Sequence, residues 1–307
     1  MTVSNLATVA VCDLDLAGGS SFTFDQITDS NFDPRLTEVV ESAAGYEANH
    51  VSSSGGKPTL SITTKKVGIA LAALTCVGKG LDGAGIRAYF QKYLAGGGRD
   101  TTGHPRVALA TGIVLPRTLQ CTYQQDATLS LDAFATSVDG DTSPYTWDTA
   151  ALPTAGTDEH FTLATAVLGA ASMGQITDLN IDFGLTERIE GAADDLWPSF
   201  ACVEAVRPKI TMKCNAPANF ALYAPVGTAI VNTSPVIIYL RKRVKGGGLL
   251  EIGTANHISL TVYEGRIIAR QTQASVGNPA SIDVEVIPTA YSTFRPITVA
   301  VNAAIPA

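Results

Sequence analysis

Charge is scarce in this chain. Asp, Glu, Lys and Arg supply 16% of its 307 residues, against about 25% in an ordinary soluble domain, and so thin a charged coat implies that much surface is covered in an assembly. Positive charge is scarcer still, with 21 Lys and Arg against 28 Asp and Glu and a net charge of −7. Gripping a nucleic-acid backbone takes clustered bases, so a DNA-binding surface is disfavoured, while an acidic wall past which DNA slides is allowed. Aromatic residues make up only 7%, with Trp147 and Trp197 the two Trp. That is thin material for the exposed aromatic platform of a carbohydrate-binding module. The Cys at 12, 76, 121, 202 and 214 include no CxxC pair, which argues against a zinc knuckle or disulfide framework and for buried thiols in a reducing compartment. His50, His104, His160 and His257 lack HxH, HxxxH or HExxH spacing, so no metal site is expected. The longest uncharged apolar run, 67–77, is too short for a bilayer. The opening MTVSNLATVAVCDLDL lacks a basic region and meets Asp13 and Asp15 early, unlike a secretory leader. A soluble protein, assembled inside the cell that makes it and without membrane contact, is expected.

Alternation of apolar and polar residues is what the chain has instead. Strands are predicted at 7–12, 22–24, 59–64, 107–115, 119–123, 128–136, 161–167, 176–183, 200–213, 236–243, 258–267, 282–287 and 297–301, mostly bounded by Gly, Pro, Asn or Asp. So many strands with few helical windows predict a mainly β fold, an antiparallel β-sandwich or barrel with one or two short helices. Leu36, Val39, Val40 and Ala43, spaced helically after Pro34, predict a helix over 33–47. Ile86, Tyr89, Phe90 and Tyr93 predict another, stopped by the glycines at 96–98. Periodicity leaves 67–77 as either a buried strand or a short buried helix. The stretches 49–57 and 215–234 read as loops or inter-subunit arms. The second divides the chain into a β domain at 1–214 and a further β segment at 215–307, either a small second domain or an extension of the same sheets.

The chain is organised around residues 173–212, MGQITDLNIDFGLTERIEGAADDLWPSFACVEAVRPKITM. Leu179, Ile181, Phe183 and Leu185 fall on one side of an extended backbone, and Asn180, Asp182 and Gly184 on the other, as in a half-buried strand. Asp182, Glu187, Glu190, Asp194 and Asp195, against the single Arg188, form an acidic face predicted to line a lumen or meet a neighbouring copy. Arg241, Lys242 and Arg243, followed by Lys245, form the concentrated positive patch, predicted to match that acidic face across a subunit boundary.

Catalytic constellations are weak. Gly78-Lys79-Gly80-Leu81-Asp82-Gly83 follows an apolar run, as a dinucleotide fingerprint does, yet strand after strand follows it rather than βαβ, and a turn is the better reading. Asp139-Gly140-Asp141 starts like a calcium loop, but Ala150 and Ala151 stand where the closing Glu belongs, and a tight turn explains it. There is no GxSxG. Adjacent acids such as Asp194 and Asp195 in a strand point to opposite faces, a poor glycosidase pair. No catalysis and no cofactor are expected.

Three segments in order, YLAGGGRDTTGHPR, VLPRTLQCTYQQDATLSLDAFATSVDGDTSP and TLATAVLGAASMGQITDLNIDFGLTERIEGAADDLWPSFACVEAVRPKITMKC, make residues 93–213 resemble the tail tube (major tail) proteins of long-tailed bacteriophages. The features in common are a strand ending in Pro, a following strand that alternates polar and apolar residues, and a later hairpin with Ile-Thr-Asp…Asp-Phe-Gly and a Trp-Pro corner. The resemblance implies a structural virion protein of the tail, assembled in the host cytoplasm, whose β-sandwich or barrel forms six-membered rings stacked into a hollow tube. Its partners would be copies of itself, other tail proteins, and DNA passing without specific binding. The resemblance stops at Cys214, which leaves open a baseplate, tail-tip or other tail-associated β-sandwich with a host-surface binding role.

Overall fold

The computed structural model describes residues 6–43, 47–54, 56–92, 100, 103–154, 156, 159–168, 171–173, 175–215, 227–244, 248–275, 278–292 and 295–306. The glycines at 96–98, Lys245 and most of the 215–234 stretch lie outside them. The chain opens with a hairpin of β1 (Leu6–Leu16) and β2 (Ser20–Phe24), turned at Gly18 and Gly19 with positive φ. Then β3 (Ile27–Asp33), β4 (Thr37–Ala43), β5 (Glu47–Ser54) and β6 (Thr59–Thr64) lead to α1 (Val67–Leu74). After it come β7 (Lys79–Lys92), β8 (His104–Leu109), β9 (Gly112–Thr122), β10 (Thr128–Ala135), β11 (Tyr145–Ala150), β12 (Phe161–Leu168) and β13 (Ala171–Met173). The central stretch holds β14 (Ile176–Asp182), β15 (Leu185–Glu190), β16 (Phe200–Val206) and β17 (Lys209–Cys214). Last come β18 (Thr228–Ile230), β19 (Val236–Lys242), β20 (His257–Val262), β21 (Glu264–Ser275), β22 (Asn278–Thr289) and β23 (Thr298–Ala303).

The fold is mainly β and antiparallel, as the alternation predicts, and the described residues form no closed barrel. A fourteen-stranded sheet has the main path β11-β8-β7-β9-β14-β17-β22-β21-β18, and a five-stranded sheet runs β13-β12-β19-β20-β23. Strands from 1–214 and from 215–307 therefore share both sheets. The buried faces of the two join one hydrophobic core, in which Leu163, Ile238 and Leu260 of the smaller sheet cluster with Leu119, Ile181 and Ile210 of the larger.

Register explains how one sheet serves two environments. Leu119, Ile181, Ile210, Val286 and Ile267 stand side by side on five neighbouring strands, and all are buried. One residue along, Gln120, Asn180, Thr211 and Glu285 form the adjacent row and point the opposite way. Burying each Ile or Leu of the apolar rows contributes about 1.5–3 kcal/mol. The polar rows contribute little burial, so they are free to be chosen for function.

The predicted helix over 33–47 is instead the β4–β5 hairpin, and the loop expected at 49–57 is largely β5. Thr37, Val39 and Val40 are β-branched and favour a strand once a partner is alongside. The predicted helix after Gly83 is the second half of β7, laddered to β1 by Cys12↔Ala88 and Leu14↔Ile86. That partner strand overrides a spacing that reads as helical. Gly78 and Gly83 have positive φ, and a Cβ at 78 would collide with the carbonyl oxygen of Val114, so the glycines serve a strand crossing rather than a phosphate. The 67–77 run resolves as α1, buried on nearly every side, as an apolar helix must be. Of the cysteines, Cys202 alone is only half-buried, while burial pushes the Cys76 and Cys121 thiols up to about 12 and Cys214 to about 11.

Candidate functional site

The predicted long strand pair is one hairpin folded into two ladders. β14 pairs with β17 inside the large sheet, and β15 pairs with β16 as a separate two-stranded arm. The break falls at Gly184, with φ +58°, opposite Arg207-Pro208. Arg207 N–H donates to the Gly184 carbonyl at 2.9 Å, and a Cβ at 184 would collide with the Arg207 carbonyl oxygen. Pro208 cannot donate to a ladder, so the pairing resets there and the strand predicted at 200–213 becomes β16 and β17.

Arg117 fastens the arm to the sheet. Its guanidinium donates to Asp132 on β10 at 2.7 Å, to Glu187 on β15 at 2.7 Å and to the Leu185 carbonyl at 2.6 Å. Arg117 occupies a register shift between β9 and β10, where an extra residue re-aims the side chain. At the far end, Trp197 N–H donates to the Gly140 carbonyl and Ser137 N–H to the Pro198 carbonyl, each at 2.7 Å. The Asp139-Gly140-Asp141 stretch is a turn, and Asp139 accepts from Thr142, Ser137 and Asp141, which holds its carboxyl well below the usual range.

The structure divides the predicted acidic face. Asp182 accepts from Gly184 N–H at 2.8 Å beside the break, and Glu187 is held by Arg117. Glu190 pairs with Arg188 at 2.7 Å, which lowers its pKa, and both are exposed. Asp195 accepts from Ala192 N–H and Ser199 Oγ, each at 2.7 Å, shaping the tip, where Asp194 is exposed. The basic trio lies on β19 and just beyond it, in the other sheet. Arg241 donates to the Leu250 carbonyl at 2.6 Å, while Arg243 donates to the Gln124 carbonyl and pairs with Asp126 at 3.7 Å. Within one chain these bases do not meet the acids of the arm. No protein-family model and no curated protein matches the chain.

Two features escaped the sequence reading. The first is a polar groove of about 420 Å³ across β9, β14, β17, β22 and β21, whose lining includes Gln120, Asp178, Asn180, Lys213, Arg270 and Glu285. Glu285 accepts from Arg270 through both oxygens, at 2.7 and 3.0 Å, and pairs with Lys209 at 2.9 Å. The second is an aromatic ladder at the edge of the large sheet, with Trp197 against Tyr145 at 5.6 Å between ring centroids, Tyr145 against Phe32 at 5.1 Å, Phe32 against Trp147 at 5.5 Å and Trp147 against Phe90 at 6.2 Å. Trp147 is 57% exposed. Among the described residues its strand, β11, pairs only with β8, and the β-pattern of YTWDTA was the one available signal. Among the described residues, no three His, Cys, Asp or Glu side chains group as metal ligands.

Proposed function

We propose that this chain is a non-catalytic structural subunit of a virion tail, a tail tube protein that self-associates into stacked rings around a passage for DNA. The observation that carries this reading is the second face of the large sheet, a broad array of polar side chains backed by a continuous apolar core. Several of its bases are tied to acids, Arg270 and Lys209 to Glu285 and Arg117 to Asp132 and Glu187, while Lys213 stands in register opposite Asp178. Asp178 and Asp182 add further negative charge and are exposed. Such a face repels phosphates within a Debye length of about 8 Å at physiological salt and gives them no free cluster of cations to bind.

Self-association has two places to act. Among the described residues, none pairs with the outer edge of β11, which leaves its backbone for a strand from another copy. The β15–β16 arm carries the exposed Leu196 and Phe200. The six-membered ring, the other tail proteins as partners, and the pairing of residues 187–195 with the basic trio of a neighbouring copy belong to the same proposal. Because Arg241 and Arg243 are engaged by their own chain, Asp194→Lys is the cleaner probe of that pairing. Negative-stain microscopy of the purified protein is expected to reveal rings or tubes with a central channel. A monodisperse monomer by sedimentation at high micromolar concentration would refute the reading.

The exposed Trp147, stacked on Phe90 and neighboured by the Arg106–Asp148 ion pair, favours a second reading. Such an aromatic surface suits a tail-tip or baseplate protein that binds a sugar-bearing host surface.

A further inference from the structure

A lysine fully removed from water stands at the start of α1. Lys66 is 0% exposed and forms an ion pair with Asp25, whose side chain is 10% exposed. Beyond that contact, neither Lys66 Nζ nor Asp25 Oδ1 has a hydrogen-bond partner among the described residues. A buried ion pair holds its charges well only when further hydrogen bonds offset the lost hydration, and here those are missing. The pair holds a side-chain amine in contact with a carboxyl group, the two partners of an amide bond.

A third ionisable group, Glu159, stands close by. Its Oε1 accepts from the backbone N–H of Gly68 and, at 3.2 Å, of Ile69 in the first turn of α1, and Lys66 and Lys242 both act on its charge. Burial nevertheless pushes its carboxyl above the usual range. Gly156 passes so close that a Cβ there would lie 2.9 Å from Lys66 Nζ. Its missing side chain is what leaves room for the amine.

We propose that Lys66 and Asp25 condense into an intramolecular isopeptide bond. Lys66 Nζ attacks Asp25 Cγ, the two protons the ammonium nitrogen sheds pass to the departing carboxyl oxygen, the Nζ–Cγ bond forms, a Cγ–O bond breaks and one water leaves. No electrons are exchanged. Asp25 joins β2 to β3 and Lys66 joins β6 to α1, so the bond closes a covalent loop around β3, β4, β5 and β6. Such a closure restricts the unfolded chain as a disulfide does, with no redox sensitivity.

The inference is independent of the tail reading, and its test needs no assembly. Intact-mass spectrometry of the denatured full chain is expected to read one water below the sequence mass. Proteolysis should release a branched peptide joining the segments that contain Asp25 and Lys66. Lys66→Met and Asp25→Ala, each with its fold checked by circular dichroism, should return the full sequence mass. A folded wild-type chain at the full sequence mass overturns the proposal, and so does a dehydrated mass that persists in Lys66→Met.

Discussion

Glu285 is the most tightly held carboxylate of the polar face. Its side chain is 7% exposed, and the hydrogen bonds from Arg270 hold its pKa down at about 2, against the opposing effect of burial and with help from Lys209. Because folding lowers this pKa from its ordinary 4.5, the pair's stabilisation is complete above pH 4.5 and is lost as pH falls through about 2. Glu285→Gln is expected to cost on the order of 2 kcal/mol at pH 7, a figure reduced from the full shift because both cations are half exposed. Urea denaturation of the variant should also lose most of the wild type's pH dependence between 4.5 and 2. At this scale the sequence reveals which residues are acidic and which strand face they occupy: Asp182 lies opposite the buried Ile181 and Phe183, as alternation requires. It does not reveal partners. Arg117 reaches three groups on two strands only because of a register shift, and the join of Glu285 to Lys209 and Arg270 depends on pairings between residues far apart in the chain.

The arm formed by β15 and β16 owes its direction to one glycine. Gly184 has a φ that L-residues other than glycine adopt at a cost, and its missing Cβ lets the Arg207 carbonyl approach. Gly184→Ala is expected to destabilise the chain by at least about 2 kcal/mol, read by chemical denaturation. Hydrogen exchange should speed up across 185–206 well before it does in β14 or β17. The same element shows where sequence reading stops. Apolar alternation continues through Arg207-Pro208, through Gly112 and through Tyr263, so 200–213, 107–115 and 258–267 each read as one strand. In the fold each is divided, and at Tyr263 the chain leaves the five-stranded sheet for the fourteen-stranded one. Periodicity reports which way a side chain points, and a change of partner strand leaves that period unaltered. Conversely, β7 reads as a helix because Ile86, Tyr89 and Phe90 are spaced three and four apart, and only the strands β1 and β8 beside it settle the matter.

At the scale of the whole molecule, the mainly β antiparallel class was legible because it needs only many short alternating runs and turn residues between them. The division of strands between two sheets was not, since it is fixed by long-range pairing such as β12 with β19. Trp147 distinguishes the two functional readings. If rings form through the β11 edge, Trp147→Ser should shift sedimentation from assemblies towards monomers. If the aromatic ladder is a host-contact surface, the same change should leave sedimentation alone and abolish retention on intact host cells.

Among the described residues, β1, β2, β7, β8 and β11 are laddered to the rest of the large sheet at two paired positions, Lys79↔Val114 and Gly80↔Ile113. Such an isthmus has little tensile strength of its own. Sliding of one part against the other is resisted as well by Phe32 packed against Tyr145 and Trp147, and by α1, which contacts β2 on one side and β9 and β10 on the other. A pulling force along the molecule would therefore be shared with close-packed side chains rather than borne by a zipper of hydrogen bonds alone.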